Sequence, residues 1–237
     1  MLTPEQEWTL VACGLIAHAD DRLEFGEWDH ILRLIDANVD EQQTQEWLDI
    51  LGDRPALERR FSELEPLLPI MAEQLLEQCW RMALADGAGS EVEAMVHDRI
   101  AEKLGVNPDE AQRLREAWTR KAAKRAELVV SFAAALANLD GQLDSAEAAQ
   151  FDSLLERMPI PVARRLEFSM LLHAPPALDS LGSRLAALGE DERESVLYEL
   201  APLVQASHRG ERERGAFFEL ATQAAIPRER AEQLLLG

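Results

Sequence analysis

Apolar residues recur along this chain at intervals of three and four. Leu10-Val11-Gly14-Leu15, Ile31-Leu34-Ile35 and Val96-Ile100-Leu104 each mark one face of a helix. β-branched residues are few and never alternate over the length of a strand, so the pattern predicts an all-α protein. Helices are expected near 4–19, 25–37, 40–51, 55–65, 67–85, 91–104 and 108–120. A second series follows near 123–138, 145–157, 160–173, 176–188, 191–206, 212–225 and 228–236. Thr3, Pro4 and Gln6 make a capping box with proline at the first helical position. Gly105, Pro159, Pro161, Pro175-Pro176 and Pro227 supply stops. From Pro108 to Asn138 there is neither glycine nor a further proline, and the basic stretch around Arg120–Arg125 tolerates helix, so a helical junction is expected there.

The polar positions carry a repeat. An acidic turn reads Ala19-Asp20-Asp21 through Glu27, then Ala85-Asp86-Gly87 through Glu93, then Leu139-Asp140-Gly141 through Glu147. Each has an Asp followed seven residues later by a Glu. A fourth copy, Ala206-Ser207-His208 to Arg214, has lost its Asp. Spacings between copies alternate, so the duplicated unit is a pair of turns roughly 121 residues long. In that register Pro55-Ala56-Leu57 falls on Pro176-Ala177-Leu178, and Arg214 on Glu93. Two domains are expected, residues 1–120 and 121–237.

Composition narrows the function. A 47% apolar content suits a packed core, and a net charge of −20 argues against nucleic acid and anionic membranes as partners. The first 120 residues hold 11 Lys+Arg against 26 Asp+Glu, so that half carries −15 of the charge. There is no secretory leader pattern at the N-terminus and no apolar run of bilayer length, so the expected location is the cytoplasm. Cys13 and Cys79 form no Cys-x-x-Cys motif, and they read as small buried residues at equivalent places 66 apart. No serine-histidine-aspartate set, phosphate loop or cysteine-histidine pair stands out, so a non-enzymatic protein without organic cofactor is expected.

Asp20 and Asp86 follow helix C-termini, where negative charge is unfavourable, whereas Glu27 and Glu93 open the next helices, where it is favourable. If two half-units pack about a pseudo-two-fold axis, Asp20, Glu27, Asp86 and Glu93 converge into an all-oxygen set suited to Ca²⁺, Mg²⁺ or Mn²⁺. The plainer alternative is ordinary Asp-Gly turn chemistry followed by a dipole-matched glutamate. An EF-hand does not fit, because Leu143 and Ala149 stand where its glycine and glutamate belong. Glu27-x-x-His30 has the spacing of a di-iron half-site but has no second copy. His18, His30 and His97 read as structural, surface or boundary residues.

The run Ala83-Leu84-Ala85-Asp86-Gly87 through Glu93 to Leu104-Gly105-Val106 resembles the TerB family, the tellurite-resistance-associated helical domain. The resemblance implies two tandem TerB-like domains, each of two pseudo-symmetric helical half-units with clustered acidic residues that bind metal. It also implies an accessory role in stress response or signalling, through a protein partner. The first domain keeps all four acidic positions. The second keeps Asp140 and Glu147 but shows Ser207 and Arg214 at the other two, which marks it as degenerate and argues against a cation there. The alternative function is a metal-independent scaffold that docks a protein through its acidic surface.

Overall fold

The computed structural model describes residues 2–20, 31–32, 34–36, 38–40, 43–84, 87, 89–139, 145–160, 162–206 and 211–236. Among the described residues every element is helical and there is no strand. The chain divides into two compact units, Met1–Lys121 and Ala122–Gly237.

The first unit is built on α1 (Pro4–Ala17), which starts as its sequence dictates: the Thr3 hydroxyl accepts from the Gln6 amide and the Gln6 side chain closes the capping box. Residues Trp8 to Ala17 are all buried, so α1 is wrapped on every side rather than amphipathic. Around it pack α2 (Thr44–Leu51), α3 (Arg54–Glu63), α4 (Pro69–Ala83) and α5 (Glu91–Lys103). Close approach depends on a missing side chain: a Cβ on Gly14 would sit 2.7 Å from Leu51 Cδ2 and 3.1 Å from Leu57. His18, just past the end of α1, donates from Nε2 to the Leu51 carbonyl at 2.8 Å and so ties α1 to the end of α2.

A single 30-residue helix, α6 (Pro108–Ala137), runs through Lys121 and Ala122 without interruption. Its last ten residues, Leu128 to Ala137, are buried in the second unit. The rest of that unit comprises α7 (Ser145–Arg157), α8 (Val162–Ser169) with a short 3₁₀ turn (Met170–Leu172), α9 (Leu178–Ala186), α10 (Glu190–Ala206), α11 (Glu211–Gln223) and α12 (Arg228–Leu236). α10 packs against α7, α11 and α12, and α9 packs against α11. Asn138, 120 residues after His18, donates to the Leu172 carbonyl at 3.0 Å.

The internal register is not uniform. In α4 the buried positions Leu75, Leu76, Cys79, Trp80, Met82 and Ala83 recur 121 residues later as Val196, Leu197, Leu200, Ala201, Leu203 and Val204 in α10. In α5 the buried Glu93, His97, Ile100 and Ala101 recur 120 residues later as Glu213, Phe217, Leu220 and Ala221. The stretch joining these two buried stripes is therefore one residue shorter in the second unit than in the first. The Pro-Ala-Leu register expected from sequence does not hold. Leu57 is the fourth residue of α3 and fully buried, whereas Leu178 opens α9, and its fourth residue, Leu181, takes the buried place.

Candidate functional site

The acidic turn of the first unit lies between α4 and α5. Ser90 caps α5: its hydroxyl accepts from the Glu93 amide at 3.2 Å, and Glu93 Oε2 accepts from the Ser90 amide at 2.6 Å. The Ser-x-x-Glu spelling demands this reciprocal pair. It fixes the Glu93 carboxylate at a helix N-terminus with 7% exposure. Gly89 enters the cap with φ +75°, and a Cβ there would lie 2.8 Å from Trp80 Cζ2, so Gly89 itself lies close against the indole.

Beneath that indole is a polar core. Trp80 Nε1 donates to Thr119 Oγ1 at 2.8 Å, which links α4 to α6. His97 is fully buried between the edges of Trp80 and Trp118, at 5.5 and 6.1 Å between ring centres. Its Nε2 donates to the Leu76 carbonyl at 3.1 Å, and its Nδ1 accepts from Arg115 Nη1 at 3.2 Å. Arg115 also forks onto the Asp98 carboxylate. Both ring nitrogens are thus satisfied with the imidazole neutral. Burial holds its pKa down at about 4, and the Arg115 charge adds to the effect, against the raising influence of the Leu76 hydrogen bond and Asp98. The expectation of a surface or boundary histidine at 97 is overturned. A signal existed: Glu93, His97, Ile100, Ala101 and Leu104 form one helical stripe, and a residue on that stripe faces the core.

Of the four carboxylates expected to meet, two are described. Glu93 is buried as above, and Asp20 is exposed beyond the end of α1. Glu27 and Asp86 lie outside the described residues, as do His30, Asp140 and Ser207. Among the described residues no three His, Cys, Asp or Glu side chains come together to hold a metal ion.

The second unit departs from expectation at the last turn. Arg214 is exposed, and it is Glu213 that occupies the place of Glu93. Glu93, Glu147 and Glu213 are each the third residue of their helix, and each is buried, at 7, 7 and 4% exposure. Glu213 Oε2 has no hydrogen-bond partner among the described residues. The shorter connection moves Arg214 off the stripe of Glu213, Ala216, Phe217, Leu220 and Ala221, a stripe already visible in the spacing.

Hard carboxylate oxygens at helix N-termini can accept a backbone amide or a hard cation. No curated protein and no solved structure matches the chain. A family model does match: residues 6–116, lying within the first unit and reaching from α1 into α6, fit tellurite resistance protein TerB, so this stretch is TerB-like.

Proposed function

We propose that this is a cytoplasmic, non-enzymatic accessory protein of stress response or signalling. Its first unit binds a divalent cation, Ca²⁺, Mg²⁺ or Mn²⁺, through Asp20, Glu27, Asp86 and Glu93. The observation that carries the reading is the TerB match over residues 6–116, together with a Glu93 carboxylate buried and held in place at the edge of the acidic turn. An oxygen-only donor set suits a hard cation, and a carboxylate already fixed by its cap loses little freedom on binding one. Tryptophan emission reports on the first unit alone, because Trp8, Trp28, Trp47, Trp80 and Trp118 all precede residue 121. Melts followed by that emission should rise when one of the three ions is added to EDTA-treated protein, and Asp86→Asn should abolish the rise. A melt that none of the three ions moves ends the cation reading.

A second reading, a metal-independent scaffold for a protein partner, is favoured by two observations. The capping box gives Glu93 a structural task that needs no ion. Leu68, Ile70 and Met95 are large apolar side chains exposed at 69, 85 and 71% on the first unit. We propose also that the second unit is a second, divergent TerB-like domain. Supporting it are the buried runs Trp8–Ala17 and Leu128–Ala137, the carbonyl contacts of His18 and Asn138, and the third-position glutamates. Under this proposal a separately expressed 122–237 segment folds cooperatively with helical circular dichroism; a segment that stays unfolded removes it.

A further inference from the structure

The corner between α3 and α4 runs from Leu64 to Leu68, and two prolines, Pro66 and Pro69, set its shape. A residue that precedes proline is pushed out of the helical region into extended or polyproline II backbone. Leu68, before Pro69, has φ −62° and ψ 141°, and Leu64 has φ −62° and ψ 130°. Glu65, Pro66 and Leu67 make no backbone-to-backbone hydrogen bond among the described residues, as in polyproline II. Pro66 and Pro69 stand three residues apart, one turn of such a helix. The segment is tied down from the core: buried Trp8 of α1 donates from Nε1 to the Glu65 carbonyl at 2.7 Å. What the corner presents to solvent is apolar. Pro66, Leu68, Pro69 and Ile70 are all exposed, and Leu68 and Ile70 show most of their surface. The fold itself does not require this. In the second unit α9 and α10 are joined by only Ala187, Leu188 and Gly189, without a proline, and Leu188 packs against the core.

We propose that the Pro66–Ile70 corner is a docking knob for another protein, one that offers a groove lined with aromatic side chains and rimmed with basic ones. Aromatic grooves take polyproline II segments because the backbone is already extended and the proline rings pack on flat faces. Leu68 and Ile70 supply the larger apolar anchors beside the prolines. The Trp8 tether and the prolines hold the segment in shape before docking, so little freedom is lost on binding. Charge sets the rim. Glu65 and Glu73 are exposed on either side of the knob, in the strongly acidic first half of the chain, and basic residues around the partner's groove complement them. The inference rests on the scaffold reading, to which it gives a site and a class of partner, and it asks nothing of a cation.

The test puts photoreactive p-benzoylphenylalanine in place of Leu68, Ile70 or Met95, one at a time in the full chain, and irradiates the cells that make the protein. Met95, exposed on α5 outside the proline segment, is the control. The expected result is one protein captured from positions 68 and 70 but not 95, with the link mapping to a partner peptide rich in aromatic residues. That protein, purified, is then titrated with the purified full chain. Pro66→Ala and Leu68→Ser should each weaken binding by about tenfold or more. Leu68 is the N-cap of α4 and makes no side-chain cap there, so serine supplies one and the melting temperature should hold or rise. Lost affinity in a variant that melts no lower cannot come from misfolding. Capture from position 95 alone overturns the proposal and keeps the scaffold reading. Capture from none of the three overturns both, since the scaffold reading draws on the same side chains. Links only to a second copy of this chain, or to a partner surface without aromatic residues, overturn the proposal, as does wild-type affinity in Leu68→Ser.

Discussion

The buried His97 makes a quantitative forecast about pH. With its Nε2 hydrogen on the Leu76 carbonyl and its Nδ1 facing Arg115, the fold accepts only the neutral imidazole. Its folded pKa of about 4 lies below the ordinary 6.5, so on acidification the unfolded chain takes up the proton first. The contribution of the neutral ring is complete above pH 6.5, declines as pH falls from there toward 4, and is gone below. At roughly 1.4 kcal/mol per pH unit the whole loss is about 3 kcal/mol, of which about 2 kcal/mol appears by pH 5. The measurement is urea unfolding read by tryptophan emission at pH 7.5, 6.5, 5.5 and 5.0, since Trp80 and Trp118 flank the ring. With an m-value near 2 kcal/mol/M, the wild-type midpoint should fall by about 1 M over that range. His97→Phe, which copies the phenylalanine buried at position 217, removes the titration while Arg115 keeps Asp98 as its partner. Carboxylate titrations are common to both proteins and cancel in the difference. Equal pH slopes for wild type and His97→Phe would falsify the assignment of a neutral, desolvated imidazole.

Three further tests probe local geometry. Ala225 ends α11 with φ +56° in the place that Gly105 fills at φ +76° after α5, so Ala225→Gly should stabilise and Gly105→Ala destabilise, each by about 1 kcal/mol in urea unfolding. Gly89→Ala should cost about 2 kcal/mol and blue-shift or quench Trp80, because it adds both a strained φ and a contact with the indole. Glu213→Gln, measured in EDTA by hydrogen exchange of the α11 amides, should raise protection by about 1 kcal/mol, since it discharges a buried oxygen with no hydrogen-bond partner among the described residues. Lowered protection would mean that the charge is compensated.

Much of this fold was legible because the signals were local. The Thr3-Pro4-Gln6 start, the Gly105 stop and the uninterrupted helix across residue 121 follow from cap chemistry, backbone freedom and the lack of breakers. What failed was register. A repeat offset measured at turns cannot see a connection that has lost one residue, and the error carried Arg214 into the place of Glu213. The α5 and α11 stripes would have corrected it, since helical periodicity is counted from the buried face and is indifferent to loop length. Pro176-Ala177-Leu178 misled for the same reason, as a short match at a helix start can slide by a turn while Leu181 keeps the core. His97 was missed because residue type says surface or boundary for a histidine, whereas its place on the stripe says core. The four-carboxylate set is a different problem: it depends on turns meeting in space, a long-range matter that periodicity within a helix does not encode.

The placement of Glu213 changes the argument for an asymmetric cation site. With Arg214 facing the site, the second unit would lose a ligand and gain an opposing charge at one position. Arg214 is instead exposed, and the glutamate remains. By sequence the second unit then retains Asp140, Glu147 and Glu213, and it differs from the first at Ser207, where Asp86 stands. A neutral hydroxyl in place of one carboxylate weakens a hard-cation site without building a barrier to it. On the proposed cation reading, wild-type protein should therefore bind one ion tightly in the first unit, and Ser207→Asp should create a second site of comparable affinity. Calorimetric titration of the EDTA-treated chain measures both, with Asp86→Asn silencing the first unit so that the second is seen alone. If Ser207→Asp leaves the stoichiometry at one while the first site binds normally, the third-position glutamates are caps and nothing more in the second unit, and their burial there serves the helix alone.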